Sequence, residues 1–324
     1  MRAMITGANG FLGSHLAKRL AKRGEQVRCL LRKGSDASAL DGVRCELVHG
    51  DVTDPESLPA AMRDIDVVFH LAGIRRSPER EAFFRVNAEG TRNVCDAMQA
   101  MDVRRLVLCG SLSAMGPGTA EAPRVESDPF LPQEAYGESK AEAERIAFEY
   151  AGKLEVTVVR PPRITGPGDR ENLAFFKLVK NGFKLKVGGG PRPLSTVDVE
   201  DVVDLLILLA ERKEAVGEAF FAPGPDLTSL EGLQDLAAQT LGIRPMPLLI
   251  PATVLLGLSA CADWASKVTG KHLPLNRKLA KQLIAPGWTC SGEKAARLLG
   301  YHPTRSVADS MRRSAEWYRA QGWL

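Results

Sequence analysis

Long apolar runs, blocks of like charge and closely spaced cysteines are all missing from this chain, and each absence removes a class of protein. The longest apolar stretch, Ala252 to Ala262, falls short of the roughly 18 to 20 residues that cross a bilayer. No transmembrane span is expected; a buried helix fits the stretch, and peripheral membrane contact stays open. Lys and Arg number 43 against 39 Asp and Glu, a formal charge of +4. With no long basic block, a nucleic-acid surface is not indicated. The six cysteines, Cys29, Cys45, Cys95, Cys109, Cys261 and Cys290, are scattered, and His15, His49, His70, His272 and His302 show no ligand spacing. Neither a metal site nor a disulfide framework follows, and a reducing, cytoplasmic setting fits. Met1 to Thr6 runs straight into a strand-like pattern, so no secretory leader is expected.

What is present is alternation. Short aliphatic runs at Arg2 to Thr6, Gln26 to Leu31, Arg44 to Val48, Val67 to Leu71, Arg105 to Cys109 and Val156 to Arg160 are separated by longer amphipathic stretches. Those stretches, Leu12 to Lys22, Pro55 to Met62, Glu79 to Met101 and Glu134 to Tyr150, are long enough to cross between parallel strands. The pattern predicts an α/β fold with a doubly wound parallel sheet. After Arg160 a Pro/Gly-rich stretch leads to a helix around Leu173 to Asn181, then a short strand at Ser195 to Val197, an apolar helix at Val199 to Glu211 and a strand at Glu218 to Ala222. The last three suit a return to the main sheet. Residues from Pro225 onward read as mostly helical. The expected division is a dinucleotide-binding domain over 1–165, rejoined by 196–224, and a smaller, mostly helical substrate lobe from 166–195 and 225–324.

Between the first strand and first helix lies Thr6-Gly7-Ala8-Asn9-Gly10-Phe11-Leu12-Gly13. Gly7 suits a tight turn, Gly10 a close approach of backbone to a pyrophosphate, and Gly13 close packing of the helix. The helix N-terminus then offers N–H groups and a positive dipole end to phosphates. At the end of the second strand, where an NAD-binding chain usually carries an acid, stand Arg32, Lys33 and Ser35. A guanidinium pairs with a 2′-phosphate that a carboxylate would repel, so NADP(H) is favoured over NAD(H). A solvated basic loop is the other reading of the same residues.

Tyr136 and Lys140 stand four apart in a helical stretch, which places phenol and ammonium on one face. Ser111 follows the strand Arg105 to Cys109, and ligands of doubly wound sheets sit at carboxyl ends of strands. Hydride transfer to a carbonyl carbon needs a matching proton at the oxygen, and a phenol performs that at neutrality only when a cation stabilises its phenolate. Lys140 would do so and hold a ribose, while Ser111 orients the substrate oxygen. A half-buried helix residue and a strand-end cap are the plainer roles for Tyr136 and Ser111.

Together, TGANGFLG (Thr6 to Gly13), GDVTD (Gly50 to Asp54), HLAG (His70 to Gly73), VNAEGT (Val86 to Thr91), YGESK (Tyr136 to Lys140), RPPRITGPGD (Arg160 to Asp169) and TVDVEDVV (Thr196 to Val203) resemble an extended short-chain dehydrogenase/reductase of the NAD(P)-dependent epimerase/dehydratase superfamily. The resemblance implies a Rossmann fold, with Gly7, Asn9, Gly10, Phe11, Leu12, Gly13 and Arg32 at the cofactor. It also implies Asp51 and Val52 beside adenine, Leu71, Ala72 and Gly73 along the groove, and Pro161 near the nicotinamide. Ser111, Tyr136 and Lys140 would be catalytic. A homodimer paired through the helices near Glu79 to Met101 and Glu134 to Tyr150 is likewise implied.

Dehydratases of the superfamily carry an Asp-Glu pair after the catalytic Ser/Thr, where this chain has Leu112 and Ser113, so dehydration is not expected. GSLSAMGPG (Gly110 to Gly118), the apolar helix Pro251 to Val268 with Trp264, and the tail from Gly287 resemble the 3β-hydroxysteroid dehydrogenase and dihydroflavonol-reductase-like branch. The expected activity is an NADP(H)-dependent interconversion of ketone and secondary alcohol on a bulky apolar small molecule. An NAD-dependent nucleotide-sugar epimerase is the alternative, because Arg163 could hold a diphosphate. Leu255, Leu256, Leu258 and Trp264 would line an apolar lid or, alternatively, the core of the smaller lobe.

Overall fold

The computed structural model describes residues 1–190, 192–269, 280 and 283–324, the side chains of 263–269 excepted. The Trp264 side chain and His272 therefore lie outside the described residues. The strands are β1 (Arg2–Thr6), β2 (Gln26–Leu31), β3 (Glu46–His49), β4 (Val67–His70), β5 (Arg105–Cys109), β6 (Glu155–Arg160), β7 (Arg163–Thr165), β8 (Phe183–Val187), β9 (Leu194–Asp198), β10 (Ala219–Phe221), β11 (Leu227–Thr228) and β12 (Met246–Ile250). Seven of them form one parallel sheet in the order β10-β6-β5-β4-β1-β2-β3. The chain starts mid-sheet, winds to the β3 edge, and returns to build outward from β4. The reversal opens a crevice between β1 and β4, the place where doubly wound sheets bind ligands.

Alternate residues of these strands feed two cores, as a period of two requires. Ala3 and Ile5 of β1 join Leu16 and Leu20 of α1 (Phe11–Lys22) on one face. Met4, from the same strand, packs with Val68, Val94, Met98 and Leu106 on the other. Sheets covered on both faces read as near-continuous apolar runs, and the expected bounds of β1, β2 and β5 agree with the structure. The expected helix Pro55 to Met62 is instead two short 3-10 turns, Pro55–Ser57 and Pro59–Met62. Pro59 has no N–H to continue a helix through that point. The expected helix Glu79 to Met101 is α2 (Arg80–Phe83), a π-helical segment Phe84–Glu89 and α3 (Gly90–Ala100). The short helix α4 (Leu112–Met115) and the long α5 (Ala135–Glu149) follow.

The remaining helices are α6 (Leu173–Lys180), α7 (Val199–Glu211), α8 (Leu230–Leu241), α9 (Ala252–Thr269), α10 (Glu293–Leu299) and α11 (Val307–Ala320). Helix α7 packs Val202, Val203 and Leu206 against the main sheet, and β10 joins its edge. The expectation that Ser195 to Val197 rejoins that sheet is corrected, because β9 pairs instead with β7 and β11. The edge beyond β6 is already taken by β10. Phe176, Leu233, Ala237, Met311, Ala315 and Tyr318 from α6, α8 and α11 fill a separate core.

The mostly helical reading beyond Pro225 missed β12, which pairs in parallel with β8 to make a two-stranded ribbon. Pro247 stands within β12, and a proline is tolerated on an edge strand, whose outward position needs no donor. The buried helix expected at Ala252 to Ala262 is also corrected. Leu255 is buried against Val187, while Val254, Leu256 and Leu258 are 47%, 37% and 50% exposed. Leu256 and Leu258 thus stand outside the core reading.

Candidate active site

The first turn is closely packed at Gly7 and Gly13. Gly7 has φ +69°, and a Cβ there would lie 2.8 Å from the Ala72 amide nitrogen. A Cβ at Gly13 would overlap the Gly7 carbonyl oxygen and approach Ala8 Cα at 2.8 Å, so Gly13 lets α1 close on its own turn. Gly10 is the N-cap of α1, with no side-chain cap and no acid in the first turn. The amides of Phe11, Leu12 and Gly13 thus open the helix without a carboxylate competing for their positive end. The cradle fits a pyrophosphate on both steric and electrostatic grounds.

Asn9 Nδ2 donates to the Asp36 carbonyl at 2.8 Å, tying this turn to the loop after β2. Arg32 and Lys33, on that loop, are exposed and make no ion pair among the described residues. They line a cavity of about 610 Å³ together with Ser35, His49 and Asp51. Asp51 Oδ1 accepts from the Thr53 amide and hydroxyl, each at 2.9 Å. Val52 is buried beneath Gly90. On the other side of the crevice the amides of Leu71 and Ala72 donate to the Thr6 carbonyl and hydroxyl at 3.2 and 3.1 Å.

The catalytic candidates converge on the carboxyl ends of β4 and β5. Lys140 is 5% exposed, and its Nζ donates to the Cys109 carbonyl at 2.5 Å. A Cβ on Gly73 would lie 3.6 Å from the same Nζ. Ser111, two residues beyond Cys109, caps α4 by accepting from the Ser113 amide at 3.1 Å. That bond uses an acceptor site only and leaves the hydroxyl proton to donate. A Cβ on Gly137 would run into the Ser113 carbonyl, so the first turn of α5 sits directly on α4. Tyr136, in that turn, is half-buried. The Arg75 guanidinium lies 5.7 Å from its ring centroid, within reach of a cation–π attraction. The Pro161 carbonyl accepts from the Leu112 amide at 3.0 Å, which brings β6 to the same point.

Two polar residues that organise this site were absent from the expected set. Asn87, in the π-helical segment and 1% exposed, accepts from the Ile74 amide at 2.8 Å. It donates to the Ile74 carbonyl at 3.0 Å and to Ser139 Oγ at 2.9 Å. Ser139 in turn donates to the Tyr136 carbonyl at 2.8 Å. A single amide side chain thus pins the segment after β4 to the turn of α5 that carries Tyr136; π segments commonly serve such sites. The only sequence signal was an asparagine inside the VNAEGT motif.

His70 is the second. Its Nδ1 faces Thr6 Oγ1 at 2.7 Å and its Nε2 faces Thr91 Oγ1 at 3.1 Å. Thr91 spends its proton on the Asn87 carbonyl at 2.7 Å, so it can only accept from His70. Nε2 of the imidazole therefore carries a proton. Burial, and then the charge of Lys140, push its pKa down to about 3. Among the described residues there is no group of metal-ligating side chains, the cysteines are free, and no helix is long and apolar enough to cross a membrane.

Comparison with known proteins agrees with this geometry. Residues 3–221 match the NAD dependent epimerase/dehydratase family. The chain is 30% identical to the sterol demethylase protein B of Methylococcus capsulatus, with all of both chains covered. It is also 30% identical to the ceramide reductase of Caulobacter vibrioides, covering 99% of this chain and 95% of that one. The crystal structure of gox2253 superposes with a TM-score of 0.85 at 26% identity, over 100% of this chain and 99% of the other. The chain belongs to the NAD dependent epimerase/dehydratase family and is an enzyme of the extended short-chain dehydrogenase/reductase type.

Proposed function

We propose that this enzyme interconverts a ketone and a secondary alcohol on a bulky apolar substrate, using NADP(H). The observation that carries the reading is the placement of the Lys140 ammonium on the Cys109 carbonyl, one helical turn from Tyr136 and beside the strand end that bears Ser111. The dinucleotide supplies the hydride. Tyr136 passes the proton to or from the substrate oxygen, and Lys140 stabilises the phenolate and holds the nearby ribose. Ser111 donates its remaining proton to that oxygen and sets the angle of attack. Gly7, Gly10, Phe11, Leu12 and Gly13 hold the pyrophosphate. Arg32 takes the 2′-phosphate, Asp51 and Val52 flank adenine, and Leu71, Ala72, Gly73 and Pro161 line the path to the nicotinamide.

The apolar substrate class is supported by relatives named for a sterol and a ceramide. Measuring NADPH oxidation against sterol, sphingoid and acyl ketones tests the reading. Tyr136→Phe is expected to lower turnover by about 10²-fold or more, and a fully active variant overturns the assignment. One arrangement favours nucleotide-sugar epimerisation instead. Arg75, Arg76 and Arg163 crowd the single carboxylate of Glu171, at 3.1, 3.2 and 4.0 Å, a set of guanidiniums able to take a diphosphate. Purification with bound NAD, and isomerisation of UDP-sugars without net redox, would select that reading.

A further inference from the structure

The ribbon β8–β12 and the start of α9 expose apolar side chains that nothing in the described chain covers. Met246, Leu248 and Leu249 are 59%, 40% and 64% exposed, and β12 runs through Pro251 directly into the turns that expose Val254, Leu256 and Leu258. Exposed apolar side chains grouped in this way mark an interaction surface.

Its charge setting identifies the partner. Lys186 stands in register with Leu249 across the ribbon, and Lys184 with Pro247. Arg244 is exposed two residues before Met246. The Met246 amide donates to the Gly182 carbonyl at 2.8 Å, which brings the exposed Lys180 close by. Of these four cations, only Lys184 has an ion-pair partner among the described residues, Asp235 at 2.6 Å. In the sequence, Asn172 to Val197 holds Lys177, Lys180, Lys184, Lys186 and Arg192 and no acid. Leu236 to Gly292 holds Arg244, Lys267, Lys271, Arg277, Lys278 and Lys281 against Asp263 alone. The net charge of the whole chain is only +4, so these two stretches of sequence are far more basic than the chain as a whole. Leucines flanked by lysines and arginines match a bilayer with anionic headgroups, in which apolar side chains enter the acyl boundary and cations meet phosphates.

We propose that this face seats the enzyme on an anionic lipid surface, with Leu248, Leu249, Val254, Leu256 and Leu258 inserted and Lys180, Lys186 and Arg244 at the headgroups. The contact is peripheral and reversible, and it does not depend on the assignment of the reaction.

Flotation of the full-length protein with phosphatidylcholine vesicles, and with phosphatidylcholine mixed with phosphatidylglycerol, tests it. The anionic vesicles are expected to carry about tenfold more protein, and added salt should release it. Leu249→Asp with Leu258→Asp alters two exposed side chains, so the melting temperature should hold while flotation falls about tenfold or more. Lys186→Glu with Arg244→Glu should abolish the preference for anionic vesicles. Flotation that is absent with the wild type, or unchanged in both double variants, overturns the proposal. So does an oligomeric state that changes between wild type and the leucine variant in sedimentation, which would assign the face to a second copy of the chain.

Discussion

Removing the Glu144 carboxylate should be far more damaging than removing it together with its partner. Glu144 and Arg160 form an ion pair at 2.8 Å with side chains 0% and 6% exposed. Burial raises the Glu144 pKa even though Arg160 opposes the shift, and Glu144 Oε1 has no hydrogen-bond partner among the described residues. Desolvation outweighs the attraction at Glu144, and a buried pair of this kind costs less to remove whole than to break. Neither charge tolerates being left alone. In Glu144→Ala the Arg160 guanidinium keeps, among the described residues, the Glu126 carbonyl at 3.1 Å and the rings of Phe130 and Phe221 at 5.3 and 5.8 Å. A loss of about 3–5 kcal/mol is expected.

Glu144→Leu with Arg160→Met removes both charges and keeps most of the volume, and should recover at least about 2 kcal/mol of that loss. Urea unfolding of wild type, single and double variants gives the comparison directly. A single variant costing under about 1 kcal/mol, or a double no better than the single, would refute the reasoning. The consequence reaches the active site, because a Cβ on Gly110 would collide with Glu144 Oε1. The carboxylate thus sits against the residue that precedes Ser111.

Three further outcomes follow from the same geometry. Gly13→Ala places a methyl on the Gly7 carbonyl, so the dissociation constant for NADPH, measured by fluorescence titration, should rise at least about tenfold; unchanged binding would exclude the cradle. Arg32→Asp should raise the KM for NADPH about tenfold or more and favour NADH, and an unchanged preference in steady-state assays would leave Arg32 as a solvated loop residue. His70, with its pKa at about 3 in the fold and near 6.5 when unfolded, takes up its proton in the unfolded chain first. Its contribution is therefore complete above about pH 6.5 and lost as pH falls below it, by about 2 kcal/mol at pH 5. The fall in unfolding free energy from pH 7 to pH 5 should be larger in wild type than in His70→Asn by about that amount, and equal falls would refute a neutral buried imidazole.

The main sheet was legible because its determinants are local or repetitive. β1, β2 and β5 are apolar runs covered on both faces, and Gly7 and Gly13 answer to sterics within a single turn. Tyr136, Lys140 and Ser111 could be singled out as candidates from a helical spacing and a strand end. Asn87 and His70 could not. A polar residue in an apolar element has a meaning only through its partners, and theirs come from residues such as Ser139 and Thr6, 52 and 64 positions away.

The segments outside the main sheet show the complementary limit. Hydrophobic spacing tells which residues avoid water in the absence of anything better, but not whether this chain supplies the cover. At α7 it does, since β5 and β6 lie beneath it and Val107 and Val159 share a core with Val203 and Leu206. At α9 a two-stranded ribbon shelters Leu255 and leaves Leu256 and Leu258 in water, and prolines that read as helix breakers instead bound and interrupt the strand that forms the ribbon. The same apolar string is core in one setting and contact surface in the other. The charge around it decides between them: α7 carries Glu200, Asp201 and Asp204 into ion pairs with Arg19 and Arg305 of its own chain, whereas the cations beside β12 outnumber the acids that could neutralise them, leaving their counter-charges to be supplied from outside.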